Sequence, residues 1–274
     1  MDRMAKRAAP LLFSLALILP RQLLAQEEDA SEKPWSNEAD LSLVATAGNS
    51  EVLSWAVSDK FTYSWANSEL TLEGAALRTR TTTRNFDNVG GDVQVNEETA
   101  TTAEEYRLGG RWRQRLYRGI FGYSSVRWYR NELSGIDNRT TVSLGLGYQI
   151  IDRPRMTLSG QLGGDWTTED PTAQGSRDFV GAQAVFDYQY KVTETATIDA
   201  DLEFLESLDD TEDWRVNSVV GINAAISSVF ALKVSYTILY DNQPVVVTVS
   251  GTPPAPFEFD KVDQRIAASL VMSL

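Results

Sequence analysis

Asp199, Asp201 and Glu203 stand two apart in TIDADLEF, so in an extended chain their carboxylates share one face about 7 Å apart. Carboxylates so spaced can move protons, hold a hard cation or attract a cationic solute. A basic set answers them: Arg107, Arg111 and Arg113 alternate along EEYRLGGRWRQRL, with Arg127 further on and Arg265 near the end. Asp165 and Asp187 extend the acidic set. The chain has no His and no Cys, which removes His-base triads, imidazole and thiolate zinc sites, and disulfides. Carboxylates alone can do acid–base work, but such a row is more often a solvated or ion-paired wall. No enzyme, catalytic residue, metal or cofactor is therefore expected. The densest acidic run, Glu203–Asp213, lacks the spacing and glycine of a calcium loop and reads as a solvated loop.

What must position these groups is extended chain. Period-two alternation runs almost throughout; in FALKVSYTILY (Phe230–Tyr240) every even position is large and apolar or aromatic. Twelve strands are expected, at 39–47, 51–64, 69–82, 101–116, 119–130, 140–151, 156–168, 179–191, 196–207, 214–226, 230–241 and 262–274. Most match the 9–11 residues of a tilted membrane strand rather than the 5–6 typical of a globular one. Alternate connections are short, as at Trp65–Ser68 and Asp152–Arg155, while those at 84–100, 131–139, 169–177 and 242–261 are long and polar.

Aromatics sort to opposite ends of alternate strands. Trp55, Tyr106, Trp128, Trp166, Phe204, Trp214 and Tyr240 fall toward the long loops. Tyr63, Trp65, Trp112, Tyr148, Tyr190 and Phe230 fall toward the short turns. Two belts around Val, Leu, Ile, Ala and Gly match the two faces of a bilayer. The reading is all-β: a transmembrane up-and-down antiparallel β-barrel of about twelve strands, with IAASLVMSL (Ile266–Leu274) zipped onto 39–47 so that no edge meets hydrocarbon. Asp59 is awkward, sharing the apolar face of Leu53, Trp55, Val57 and Phe61. A bulge there, or a site that lipid does not reach, is expected.

Residues 1–25 carry Arg3, Lys6 and Arg7, then an apolar stretch from Ala8 to Leu19 too short to span a bilayer, then Leu23-Leu24-Ala25. This is a signal-peptide pattern. A polar periplasmic segment at 26–38 and a barrel at 39–274 follow. The net charge of −13 argues against nucleic acid as a partner.

LSLVATAGNSEVLSWAVSDKFTYSW (Leu41–Trp65), EEYRLGGRWRQRL (Glu104–Leu116) and DQRIAASLVMSL (Asp263–Leu274) resemble the salt-induced outer-membrane proteins, bacterial barrels of unknown function. The resemblance covers about 39–274. It implies residence in the outer membrane of a Gram-negative bacterium, among lipid and lipopolysaccharide, with delivery by the barrel-assembly machinery through the C-terminal strand. It brings no catalytic motif. The inward positions then form one wall mostly of arginine (Arg107, Arg111, Arg113, Arg127, with Arg265) and one mostly of carboxylate (Asp165, Asp187, Asp199, Asp201, Glu203). Two functions remain open: a narrow passive channel for small polar solutes or ions, or a structural or stress-response barrel whose charges plug the lumen and which acts through its outer loops.

Overall fold

The computed structural model describes residues 33–46, 51–89, 92–172, 174–249 and 255–274. The leader, most of the lead segment before Glu38 and the first turn, Gly48-Asn49-Ser50, lie outside the described residues.

Fourteen strands follow in chain order: β1 (Trp35–Thr46), β2 (Glu51–Ser64), β3 (Ser68–Val89), β4 (Asp92–Tyr117), β5 (Ile120–Asn131), β6 (Ile136–Arg153), β7 (Met156–Pro171), β8 (Arg177–Lys191), β9 (Ala196–Ser207), β10 (Trp214–Ala225), β11 (Phe230–Asp241), β12 (Val246–Val249), β13 (Ala255–Glu258) and β14 (Val262–Ser273). Each strand from β1 to β10 pairs antiparallel with the next, and β14 lies between β11 and β1 to close a twelve-stranded barrel. The β12–β13 pair is a separate small hairpin. The Arg118-Gly119 turn between β4 and β5 has both residues at positive φ (39° and 83°), a two-residue link that only a glycine-tolerant position makes cheaply.

Four stretches depart from the expected loops. β1 begins at Trp35 rather than at 39. β3 and β4 remain paired as far as Val89↔Asp92, although β2 ends opposite Thr82 and β5 opposite Tyr106, so a two-stranded ribbon continues beyond the ring. Its polar cross-strand pairs include Thr82 with Thr99 (2.9 Å) and Arg84 with Glu97 (2.9 Å). β6 and β7 extend to Ile136↔Pro171. The fourth is the β12–β13 hairpin, inside the expected loop 242–261. In each case the chain leaves the bilayer but keeps its ladder, and with water on both faces it has no apolar alternation to announce it.

The outer surface is apolar: Leu144, Leu162 and Ile266 are 71, 68 and 77 % exposed, with Leu43, Leu72, Leu108, Val126 and Ile222 around the same belt. A patch of this extent is stable against lipid rather than water. The interior is polar by comparison, with Ser143, Gln161, Thr167 and Gln183 buried around Tyr123. Room for the rings comes from glycine. A Cβ on Gly147 overlaps the Phe121 ring, and one on Gly145 meets Tyr123 Cε1 at 2.7 Å. Gly147→Val is expected to lower stability by about 1–3 kcal/mol through overpacking. Gly175→Val, with nothing within 4 Å of its Cβ, should have no effect. Urea titration of heat-modifiable gel migration reads both; equal midpoints for the two variants would contradict this packing.

Candidate functional site

Because side chains alternate, a strand paired in register contributes every second residue to the lumen. Arg107, Arg111 and Arg113 on β4, Arg127 on β5, Asp165 on β7, Asp187 on β8, Asp199, Asp201 and Glu203 on β9, and Arg265 on β14 all lie on inward positions. In the ring, β8 and β9 lie four strands round from β4 and β5, so chords across the lumen can join the basic and acidic walls.

Three ion pairs run as chords across the barrel. Arg127 Nη1 on β5 lies 2.5 Å from Glu203 Oε1 on β9. Arg113 on β4 lies 3.9 Å from Asp187 on β8. Arg265 on β14 lies 3.3 Å from Glu105 on β4, which Arg107 also approaches at 3.0 Å. Neutral donors complete the acidic wall: Asp187 accepts from Ser159 (3.0 Å) and Gln161 (2.7 Å), Asp199 from Gln189 (3.0 Å) and Asn223, and Asp165 from Thr167 (3.2 Å). Lys233 on β11 meets Asp40 on β1 at 3.1 Å. Asp201 and Arg111 join no ion pair among the described residues.

The lumen is packed unevenly. On β5 to β8 the inward Phe121, Tyr123, Ser143, Gln161, Asp165 and Gln183 are buried. On the other side Lys60, Glu73 and Asp201 are exposed although they point inward, and the Arg107 side chain is 41 % exposed. Water therefore reaches the lumen along an off-centre strip beside β2, β3, β4 and β9. At the short-turn mouth a cavity of about 450 Å³ is lined by both signs of charge, Arg113, Arg115 and Arg118 with Glu69 and Asp152.

The tightest charge cluster lies at the other end. Glu169, fully buried on β7, receives Arg177 Nη2 (2.7 Å) and Nε (3.1 Å), Arg215 Nη1 (3.4 Å) and Arg139. Buried Asp213 pairs with Arg177 (3.2 Å) and Arg215 (3.6 Å), and both of these guanidiniums lie over the Phe179 ring. The sequence reading leaves this cluster out because Arg139, Glu169 and Arg177 fall in its expected loops. The available signal was that Glu169 continues the odd-numbered series of Asp165 and Thr167. In the nearby loop, the Asp210 carboxyl is held below its usual range, first by the Glu212 backbone N–H (3.0 Å) and then by Gln243 Nε2 (3.1 Å).

The belt aromatics point outward. Trp214 on β10 stacks between Phe204 (6.0 Å) and Tyr240 (4.9 Å), on the strands to either side. Trp166 and Trp128 lie on the same rim, Trp128 donating to Asn138. Trp55 is paired with Leu43 and Arg78. At the opposite rim Trp65 packs on Tyr63 (4.4 Å) and Trp112 (5.2 Å). The bulge expected at Asp59 is absent, since register runs unbroken through Ala39↔Asp59↔Gly74. Instead Asp59 faces outward and accepts two hydrogen bonds from Asn37 Nδ2 (3.0 and 3.1 Å), which offsets part of the cost of a polar group on that face.

Among known proteins, the chain is 24 % identical over 217 residues to the uncharacterized protein YdiY of Escherichia coli K12, covering 78 % of this chain and 77 % of that one. Solved structures with a related outline include an outer membrane channel from Pseudomonas putida F1 (13 % identity, 92 % of this chain and 100 % of that one, TM-score 0.47) and the NanC porin (8 % identity, 87 % and 97 %, TM-score 0.44). A family model described as a protein of unknown function, DUF481, matches residues 39–272, nearly the whole barrel, including Leu41–Trp65, Glu104–Leu116 and all but the last two residues of Asp263–Leu274. The chain belongs to the DUF481 family.

Proposed function

We propose that this barrel is a narrow passive channel for small ions and polar solutes in the outer membrane of a Gram-negative bacterium. The observation that carries the proposal is the off-centre strip on which inward Lys60, Glu73, Arg107 and Asp201 meet water between charged walls. Opposed charges across a narrow aqueous path orient dipolar solutes and filter ions. The ion-pair chords set the constriction, so the wild-type channel passes small solutes and little else. The second reading, a plugged barrel acting through its outer loops, draws support from the same chords together with the packed β5–β8 side.

Planar-bilayer recordings of the refolded, heat-modifiable protein decide between the two. Small, discrete conductance steps are expected. Neutralising Arg107, Arg111 and Arg127 should shift ion selectivity toward cations. No conductance above background from folded protein would leave the plugged barrel as the function.

A further inference from the structure

The ring is closed unevenly. β1 and β14 are joined only at one end, by the reciprocal Asn37–Leu274 backbone hydrogen bonds (3.2 and 2.9 Å) and the four pairs Glu38↔Ser273 to Leu41↔Leu270. At the other seams pairing runs most of the length of the shorter strand, as in β10–β11 from Arg215↔Asp241 to Ala225↔Ala231. Continued in the same register, the seam would join Ser42 to Ser269, Leu43 to Ala268, Val44 to Ala267, Ala45 to Ile266 and Thr46 to Arg265. Yet over those residues β1 pairs only with β2, and β14 only with β11. The zipped end is the one carrying the short turns. The unzipped part runs from Ser42 and Ser269 outward; on β1 it passes Leu43, the partner of the rim residue Trp55, and on β14 it ends at Arg265, three residues short of Val262, the partner of the rim residue Tyr240. Water in the lumen, which reaches the inward Val44 beside the gap, is what can satisfy backbone N–H and C=O groups that hydrocarbon could not.

The borders of this gap are specific. Ser42, Ala45, Ala267, Ala268 and Ser269 are small, and Val44 is an inward aliphatic side chain that is 51 % exposed. A cation stands on the lumen side at each end. Lys233 is paired across β11–β14 with Ser269, at the first missing rung, and Arg265 occupies the last. Lys233 meets Asp40 (3.1 Å) and Glu38 (3.6 Å) on β1 and Arg265 meets Glu105 (3.3 Å) on β4, so none of their carboxylate partners is on β11 or β14.

We propose that the outer part of the β1–β14 seam is a lateral opening that admits a single-chain alkyl carboxylate from the outer leaflet. The head is held by Lys233 and Arg265 while the chain lies between small side chains and continues into lipid. A narrow slot suits one alkyl chain better than a two-chain lipid. Its two cations select a charged head over a neutral one. This opening is independent of the axial path and does not require the barrel to conduct.

The chain has no cysteine of its own, so introduced pairs report alone. Leu41→Cys with Leu270→Cys spans a zipped rung; Ala45→Cys with Ile266→Cys spans the same seam four residues further out. In refolded, heat-modifiable protein the first pair should oxidise readily. The second should oxidise roughly tenfold more slowly, because strands held apart cannot meet disulfide geometry. Equal rates would show a zipped seam and overturn the opening.

The ligand is tested with doxyl-stearate in phosphatidylcholine vesicles carrying the wild-type barrel. A motionally restricted spin-label signal above that of protein-free vesicles is expected, with the methyl ester giving several-fold less. Ala268→Trp, which adds bulk on the outer lip and away from the lumen, should remove the restricted signal and leave bilayer conductance as in wild type. No restricted signal in wild type, or equal signals for acid and ester, overturns the ligand class. An undiminished signal in Ala268→Trp overturns the location.

Discussion

Glu169→Gln is expected to lower the free energy of unfolding by about 3–5 kcal/mol, the cost of breaking a buried ion pair from one side. The substitution keeps the volume and removes the charge, leaving Arg139, Arg177 and Arg215 around a neutral amide with Asp213 as the remaining anion. Geometry makes the loss large: the carboxylate is fully buried, and Arg177 binds one oxygen while Arg215 and Arg139 meet the other. A contrasting pair is Arg130 with Glu132, whose side chains are about half exposed. Glu132→Gln there should leave stability nearly unchanged, because water screens the pair. Urea unfolding in detergent micelles, followed by tryptophan fluorescence, reads both variants. A Glu169→Gln midpoint matching that of Glu132→Gln would mean that the cluster is not a structural tie. A Glu169→Gln/Arg139→Gln double variant should recover part of the loss, because it removes one stranded cation together with the anion.

The second large effect is on transport. Removing both ends of the chord with Arg127→Ala/Glu203→Ala should raise single-channel conductance several-fold. This pair crosses from β5 to β9 at 2.5 Å and holds Gln183 against the same space. The single variants should differ in sign. Glu203→Gln leaves Arg127 unmatched and favours anions. Arg127→Gln leaves Glu203 beside Asp201 and favours cations, since fixed charge in a narrow lumen sets which ion enters. Conductance and selectivity unchanged in all three variants would place the chord off the conducting path.

The barrel was legible in the sequence wherever lipid lay on one side and the lumen on the other, because that contrast imposes period two. β2, β9 and β11 begin and end within a residue of their expected bounds for this reason. Where both faces meet water the signal fades. Arg84, Glu97 and Thr99 read as loop and yet form ladder pairs, Arg84 with Glu97 and Thr99 with Thr82 at the expected strand end. The two charged walls were visible as alternating residues, but their cross-lumen partners were not. Whether Arg127 meets Glu203 or Asp187 depends on strand stagger and barrel shear, which no local pattern encodes. Glu169 was missed for a related reason: it sits past Trp166, beyond the belt where alternation could be recognised.

The β3–β4 ribbon also offers a place where the chain can be extended. From Thr83 to Val89 it stands free of the ring, a rise of about 20 Å at strand spacing. Because its ladder is self-contained, peptides grafted between Val89 and Asp92 lengthen a hairpin tip without disturbing the membrane wall, and each doubling of a flexible tip costs only about 0.6 kcal/mol. The ribbon is thus a self-contained base on which a longer hairpin can be built.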